Sequence, residues 1–578
     1  MTLGRRALFL SPFISGMLLQ LLLQVQWLRR VKKRKIIPEA DVSLNRKTES
    51  LLPSSVSTLA QKREEEKIIP EADSEVPVEL DIIIEKQGYM KECVLYCALF
   101  PCDYEFSRDT LYGHGLQQMM YKLGNDKTEF LNKHSLGVRH RNGLDSETDV
   151  QKIQHLSLIF EGIDKINFDI LRNSRHLKTL LLHQCSGSGL ENLLHDVLLE
   201  LKSLTILDLS CTEIVELPSS LECLKGLKYL DLSETPIRRL PEWTDSLCNL
   251  ETLILVGCLN LCGLPKCMYK MIKLQHLVLD IARQLQSMPI GIGKLTNLQT
   301  LSAFLVGKKD SNRITQLRNM NKLKGSLCIL KLENILNKDE ARDARLHDKL
   351  HLTKLDFVWS DLQDAKVMSE EEILEHLQPH FGLQELKIVS YGGGSLPSWI
   401  SDPSFTQITS ITLYGCRYCE RLPSLGELPS LKILNIVDMD ELVVIDRLFY
   451  QQQANQRQNA FPRLEKLSFD GMSNLEIWTG IEEGHFPCLQ LLMIGFCPRL
   501  TALPSLSYLN SLLHLEICDC PKLPCLPEGR LPSSLKCLMM KDCPKLKERC
   551  YSEQGEDWAK VMSVPTLYID NQKISSNQ

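Results

Sequence analysis

The sequence predicts an α/β fold of the solenoid kind, a curved parallel sheet assembled from short stacked units. Leu204-x-x-Leu207-x-Leu209, Leu227-x-x-Leu230-x-Leu232, Leu250-x-x-Leu253-x-Leu255 and Leu274-x-x-Leu277-x-Leu279 begin 23, 23 and 24 residues apart. Leu-Pro pairs follow the first three, at Leu217-Pro218, Leu240-Pro241 and Leu264-Pro265. Near the C-terminus Cys497-Pro-Arg-Leu500, Cys520-Pro-Lys-Leu523 and Cys543-Pro-Lys-Leu546 recur at intervals of 23. A period between roughly 20 and 29 residues on this leucine skeleton marks leucine-rich repeats, which bury their apolar faces by stacking.

The segments follow in order. Residues 1–30 read as an apolar helix: Arg5 and Arg6 precede the run Ala7 to Leu28, and Arg29, Arg30, Lys32, Lys33, Arg34 and Lys35 follow it. Leu18, Leu19, Leu22, Leu23 and Val25 offer a wide apolar face for partner helices. Membrane association through residues 7–28 is the alternative, opposed by Pro12, Gly16 and the glutamines of its second half. Residues 31–79 read as a disordered charged linker, in which Lys35-Ile-Ile-Pro-Glu-Ala-Asp41 returns as Lys67-Ile-Ile-Pro-Glu-Ala-Asp73. Residues 80–150 suit a small, mostly helical domain, with Pro101 ending a helix.

Residues 151–570 hold the repeats, and 571–578 form a tail. Within each repeat a short strand sends its leucines inward and the residues between them to the concave face. The Leu-Pro pairs suit the returning convex segment, since proline ends strand pairing. Two interruptions, an acidic helical stretch from Glu370 to His376 and a glutamine-rich loop from Gln451 to Gln458, read as surface excursions.

A net charge of -5 and a pI near 6.3 give no electrostatic reason to expect nucleic acid. The 21 cysteines are diluted over 578 residues, and reduced thiols in a cytoplasmic protein are the simplest account. Cys416-x-x-Cys419 has zinc-like spacing, but Cys416, Cys497, Cys520 and Cys543 share one repeat position, which favours a stacked ladder over a metal site. His183 and Cys185 lack the strained glycine elbow of a nucleophile, and no enzyme activity is expected. Binding chemistry belongs on the concave positions. The residues expected to contact a partner are Tyr229, Asp231, His276, Asp280, Glu385, Lys387, Tyr414, His514, Glu516 and Lys541, a mixture of aromatic and charged groups that fits a protein partner.

Met90-Lys-Glu-Cys93-Val-Leu-Tyr96-Cys97-Ala-Leu-Phe100-Pro101-Cys102-Asp103-Tyr104-Glu105 resembles the winged-helix motif that closes the nucleotide-binding region of plant coiled-coil, NB-ARC, leucine-rich-repeat disease-resistance proteins. Cys93, Tyr96, Phe100, Pro101, Asp103 and Tyr104 carry that likeness. Leu298-Gln-Thr-Leu301-Ser-Ala-Phe304-Leu-Val306-Gly307, Leu323-Lys-Gly325-Ser-Leu327, Leu377-Gln-Pro379-His380, Leu396-Pro-Ser-Trp399-Ile400 and the tail with Gly555-Glu-Asp557-Trp558 resemble one subgroup of the same family. The resemblance implies a winged-helix remnant before the solenoid and a role in innate immunity. Its implied partners are proteins: a pathogen effector, a guarded host protein or a paralogous receptor.

That family switches through a glycine-rich loop ending in Gly-Lys-Ser/Thr, whose amides cradle phosphates. The nearest string here, Gly291-Ile-Gly293-Lys294-Leu295, lacks the spacing and the hydroxyl and lies inside a repeat. No nucleotide or other cofactor is therefore expected. The alternatives to an immune binding module are a non-functional or misjoined remnant of a resistance gene and a membrane-anchored repeat protein.

Overall fold

The structure is a computed structural model that describes residues 135–139, 154–159, 171, 174–183, 190–279, 285, 287–360, 369–451, 459–551 and 555–574. The apolar helix, linker and winged-helix motif expected before residue 135, with Cys93, Tyr96, Phe100, Pro101, Asp103 and Tyr104, lie outside the described residues, as does Asp280. The chain divides into two units, Met1–Arg139 and His140–Gln578. Of the first, only strand β1 (Ser135–Arg139) is described.

The second unit is a leucine-rich-repeat solenoid. Strands β2 (His155–Ile159), β3 (Thr179–His183), β4 (Ile206–Asp208), β5 (Tyr229–Asp231), β6 (Thr252–Leu255), β7 (His276–Leu279) and β8 (Thr300–Leu301) pair in sequence order, all parallel. Leu207, Leu230, Leu253 and Leu277 stand opposite one another across these strands and are fully buried. The leucine period thus becomes a continuous apolar column, each unit covering the next. On the convex side, Pro218 and Pro241 each precede a 3-10 turn, Ser219–Cys223 and Glu242–Ser246, as the Leu-Pro pairs foretell.

A 12-stranded sheet takes over at Ala303. Its strands are β9 (Ala303–Leu305), β10 (Lys324–Leu330), β11 (His351–Val358), β12 (Glu385–Val389), β13 (Ser410–Tyr414), β14 (Ile433–Val437), β16 (Lys466–Asp470), β18 (Leu491–Gly495), β19 (His514–Cys518), β20 (Cys537–Lys541), β21 (Thr566–Ile569) and β22 (Gln572–Ile574). Ser302 is the join: its Oγ donates to Leu279 O at 2.6 Å and accepts from Leu279 N at 2.7 Å, beside backbone bonds from Ser302 N to Leu277 O at 3.4 Å and from Cys328 N to Ser302 O at 2.9 Å. A third sheet, of the two strands β15 (Val444–Ile445) and β17 (Ile477–Trp478), lies beyond the main strands of its repeats.

The residue after most strands of the second sheet takes a left-handed conformation that turns the chain out of the sheet: Gly415 and Gly471 serve there, as do Ser390, Asp438, Phe496, Asp519 and Asp542, and in the first sheet Gly257 does so two residues after β6. At Gly471 glycine is also required by space, because a Cβ would lie 2.1 Å from Asp438 Oδ1. At the C-terminus β22 pairs antiparallel with β21 through Asp570 and Asn571, both at positive φ as a tight hairpin requires. The expected tail therefore begins as the last strand, which covers the edge that β21 would otherwise expose.

The shared cysteine position is a ladder. Cys416, Cys497, Cys520 and Cys543 are buried, and the last three donate to the carbonyl two residues back at 3.2 Å each. Cys419 donates to Gly393 O at 3.3 Å. The acidic stretch is helix α3 after α1 (Leu190–Glu200) and α2 (Lys338–Asp343), and it spans Ser369–Glu375. It is built into the solenoid rather than a surface excursion: Glu370 is 2% exposed and accepts from Gly392 N at 2.8 Å. Gln452 to Gln458 of the other interruption lie outside the described residues.

Candidate functional site

Alternation along the strands defines three rows of side chains on the concave side of the second sheet, read across register rather than along the chain. The first row runs Lys354, Glu385, Ser410, Ile433, Lys466, Leu491 and His514. The second runs Asp356, Lys387, Thr412, Asn435, Ser468, Met493 and Glu516. The third begins with five apolar residues on neighbouring strands, Leu330, Val358, Val389, Tyr414 and Val437, and continues through Asp470, Gly495, Cys518 and Lys541.

Of the expected contact residues, Glu385, Lys387 and Tyr414 come together on β12 and β13. All three are exposed, Tyr414 to 44%. His514, Glu516 and Lys541 form a second group on β19 and β20, with His514 exposed and the other two half-buried. The strands β14, β16 and β18 separate the two groups.

Tyr229, Asp231 and His276 are different: they stand at strand positions between the leucines, as alternation requires, but are only 1%, 4% and 1% exposed. Tyr229 Oη donates to Asp231 Oδ2 at 3.0 Å, Ser233 N donates to Asp231 Oδ1 at 2.9 Å, and His276 Nδ1 lies 3.0 Å from Thr300 Oγ1. Their polar atoms are engaged within the protein, so they do not present a surface to a partner. A hydrophobic pattern fixes which side of a strand a residue occupies but not whether anything covers that side.

The sequence reading missed the apolar row around Tyr414. Leu330, Val358, Val389 and Val437 each close a strand after its two core positions, and each is half-buried. The signal was available only by aligning the strand ends of successive repeats, not by following alternation within one.

Charge frames this row. Lys354 Nζ lies 3.5 Å from Glu385 Oε2, both about half exposed. Burial pushes the Asp356 carboxyl above its ordinary range, opposed by Lys354 and Lys387. Burial likewise raises the Cys328 thiol to about 12, with Asp356 adding to the effect, so that sulfur is a packed thiol and not a nucleophile. Acidic groups, basic groups and an exposed aromatic ring therefore meet within three adjacent strands.

Beyond the strand ends lies a groove of about 480 Å³ lined by Arg417, Asp438, Asp440, Gly471, Ser473, Phe496, Pro498, Asp519 and Pro521. Phe496 is 58% exposed and holds a φ of 48°, a conformation bulky residues rarely take. Asp470, whose carboxyl is raised by burial and then by Asp438, sits beside it. The groove continues the third row outward.

Comparison with known proteins places this architecture. Residues 314–439 match a family described as R13L1/DRL21 LRRs. Over 454 residues, 74% of this chain, it is 31% identical to the disease resistance protein RGA2 of Solanum bulbocastanum, of which it covers 45%. An RPP13-like disease resistance protein of Arabidopsis thaliana is 38% identical over 231 residues, 37% of this chain and 22% of that protein. The chain is a leucine-rich-repeat relative of plant disease-resistance proteins. It spans less than half the length of these relatives. Among solved structures, an LRR protein of Leptospira interrogans is 18% identical with a TM-score of 0.44, covering 75% of this chain and all of that one. The R13L1/DRL21 match contains α3, the Gly392 loop and the strands that carry Glu385, Lys387 and Tyr414, so the candidate face lies within the residues that match that family.

Proposed function

We propose that this chain is a protein-binding module of plant innate immunity, whose solenoid recognises a pathogen effector or a guarded host protein, or regulates a paralogous receptor. The observation that carries this reading is the apolar row Leu330, Val358, Val389, Tyr414 and Val437 beside Lys354, Asp356, Glu385 and Lys387. An exposed aromatic centre with a charged rim is the arrangement that concentrates binding energy in protein interfaces. The relatives supply the immune context. In this reading the chain acts by binding rather than catalysis, in the cytoplasm, and binds neither nucleotide nor nucleic acid. Among the described residues no helix is long and apolar enough to cross a membrane; residues 7–28, the segment read as a possible membrane contact, lie outside them.

The test screens the full chain against a library of pathogen effectors and host defence proteins, then measures each hit against Tyr414→Ala and Lys387→Glu variants. A true ligand loses about thirtyfold in affinity with Tyr414→Ala, as a central aromatic contact implies. An exposed convex substitution, Lys266→Gln, leaves it unchanged. If every hit binds the Tyr414 and Lys387 variants as well as the native chain, this face is not the binding site.

A further inference from the structure

The strand-entry rim where the first sheet passes into the second carries a separate surface. At the position just before the first leucine of each repeat, asparagine and lysine alternate through Asn249, Lys273, Asn297 and Lys322. Asn249 Nδ2 donates to Lys225 O at 2.7 Å, while its Oδ1 accepts from Lys273 Nζ at 2.6 Å. The next pair repeats the geometry: Asn297 Nδ2 donates to Ile272 O at 3.0 Å, and Lys322 Nζ donates to Asn297 Oδ1 at 2.7 Å. A groove of about 330 Å³ lies between them, lined by Glu251, Lys273, Gln275, Asn297, Gln299 and Lys322. Its one acid, Glu251, pairs with Lys228 at 3.5 Å. Among the described residues no carboxylate pairs with Lys273 or Lys322; each ammonium is held by a neutral amide.

We propose that this rim docks an acidic α-helix of a protein partner, with two of its carboxylates, seven residues apart, meeting Lys273 and Lys322. The two lysines are two strand spacings apart, about 10 Å along the stack. Residues i and i+7 of a helix share a face and are separated by about 10.5 Å. An extended segment covers a similar distance in three residues, but alternation sends i and i+3 to opposite sides. Clamping by asparagine orders both ammonium groups before binding, which lowers the side-chain entropy lost on docking. Charge complementarity calls for an acid, and a chain of net charge -5 with a short cationic row does not offer the long basic track that a phosphate backbone occupies.

The experiment uses the full chain and two labelled, alanine-based helical peptides of identical composition. One carries its glutamate pair at i and i+7, the other at i and i+5, on opposite faces. Fluorescence anisotropy should show the i,i+7 peptide binding about tenfold more tightly, a preference weakened by salt. Lys273→Gln combined with Lys322→Gln should abolish that preference, with circular dichroism confirming an intact fold, and Lys266→Gln should preserve it. Equal binding of the two peptides, or a preference that survives the double substitution, overturns the proposal. So does a single-stranded oligonucleotide of equal charge that binds the same lysines more tightly. Tyr414→Ala should leave peptide binding intact, so failure of this rim and failure of the concave-face reading are told apart.

Discussion

Asp208 and Asp231 occupy matching positions on β4 and β5 and are 3% and 4% exposed. Burial, then the neighbouring Asp231, pushes the Asp208 carboxyl up to about 8, and burial raises Asp231 as well. Two carboxyls this close in a dry setting hold a proton that the unfolded chain would release near its ordinary value of about 3.9. A raised folded value means that the pair's contribution to stability is complete below the unfolded value and is lost as pH climbs towards 8. Asp208→Asn keeps an acceptor for Ser210 N, which the native carboxylate holds at 2.8 Å, and cannot ionise. The variant should therefore gain about 1–2 kcal/mol over the native chain at pH 7 in urea unfolding, with the gain vanishing near pH 4. An equal gain at both pH values would sink this account. None of this was legible in the sequence, where Asp231 reads as a solvent-facing strand residue. The pattern Leu-Asp-Leu specifies direction, while the carboxyl's behaviour depends on a neighbour 23 residues away and on what covers both.

At the scale of one element, α3 shows how an acidic run can be structural. Glu370 and Glu371 accept from Gly392 N and Gly394 N, each at 2.8 Å, and Glu375 accepts from Ser398 N at 2.8 Å. Successive carboxylates thus bind amides of the Gly392 to Ser398 loop, of which that of Gly392 would otherwise be buried without a partner. Gly393 in the middle of that loop packs so tightly that a Cβ would sit 2.1 Å from Tyr391 Oη. The loop places β12 and its neighbours, and with them Glu385, Lys387 and Tyr414. Glu370→Ala should cost about 2 kcal/mol in denaturant unfolding, because it removes a charged partner from a buried amide. Glu371→Ala, on a more exposed bond, should cost less than about half of that. Equal losses would mean that burial does not govern the clamp. The helix itself was visible in the sequence; its role was not, since a run of glutamates reads as a solvated face until the loop it grips is known.

Across the whole molecule, the strands that were most legible were those with strict Leu-x-x-Leu-x-Leu spacing, β4 to β7, and those marked by Cys-Pro near the C-terminus. The broader strands β10 and β11 were obscured because their repeats carry inserted turns and helix α2 between them. The change of sheet at Ser302 was likewise invisible, being one serine whose hydroxyl bridges Leu279 N and Leu279 O. It matters because solenoid stability is passed only between neighbours, and at this change of sheet the transfer runs through Ser302, by its hydroxyl and by the backbone bonds Ser302 N to Leu277 O and Cys328 N to Ser302 O. A core truncation on one side should therefore be felt chiefly on that side. Leu492→Ala, in a fully buried position of β18, should cost about 3 kcal/mol and accelerate amide exchange in β16, β18 and β19. Protection of β4 to β7, beyond Ser302, should stay at the native level when exchange is followed by mass spectrometry. Uniform loss of protection through both sheets would show instead that the sheets are coupled across Ser302 as firmly as strands within one sheet, and Ser302→Ala would then be expected to weaken that coupling.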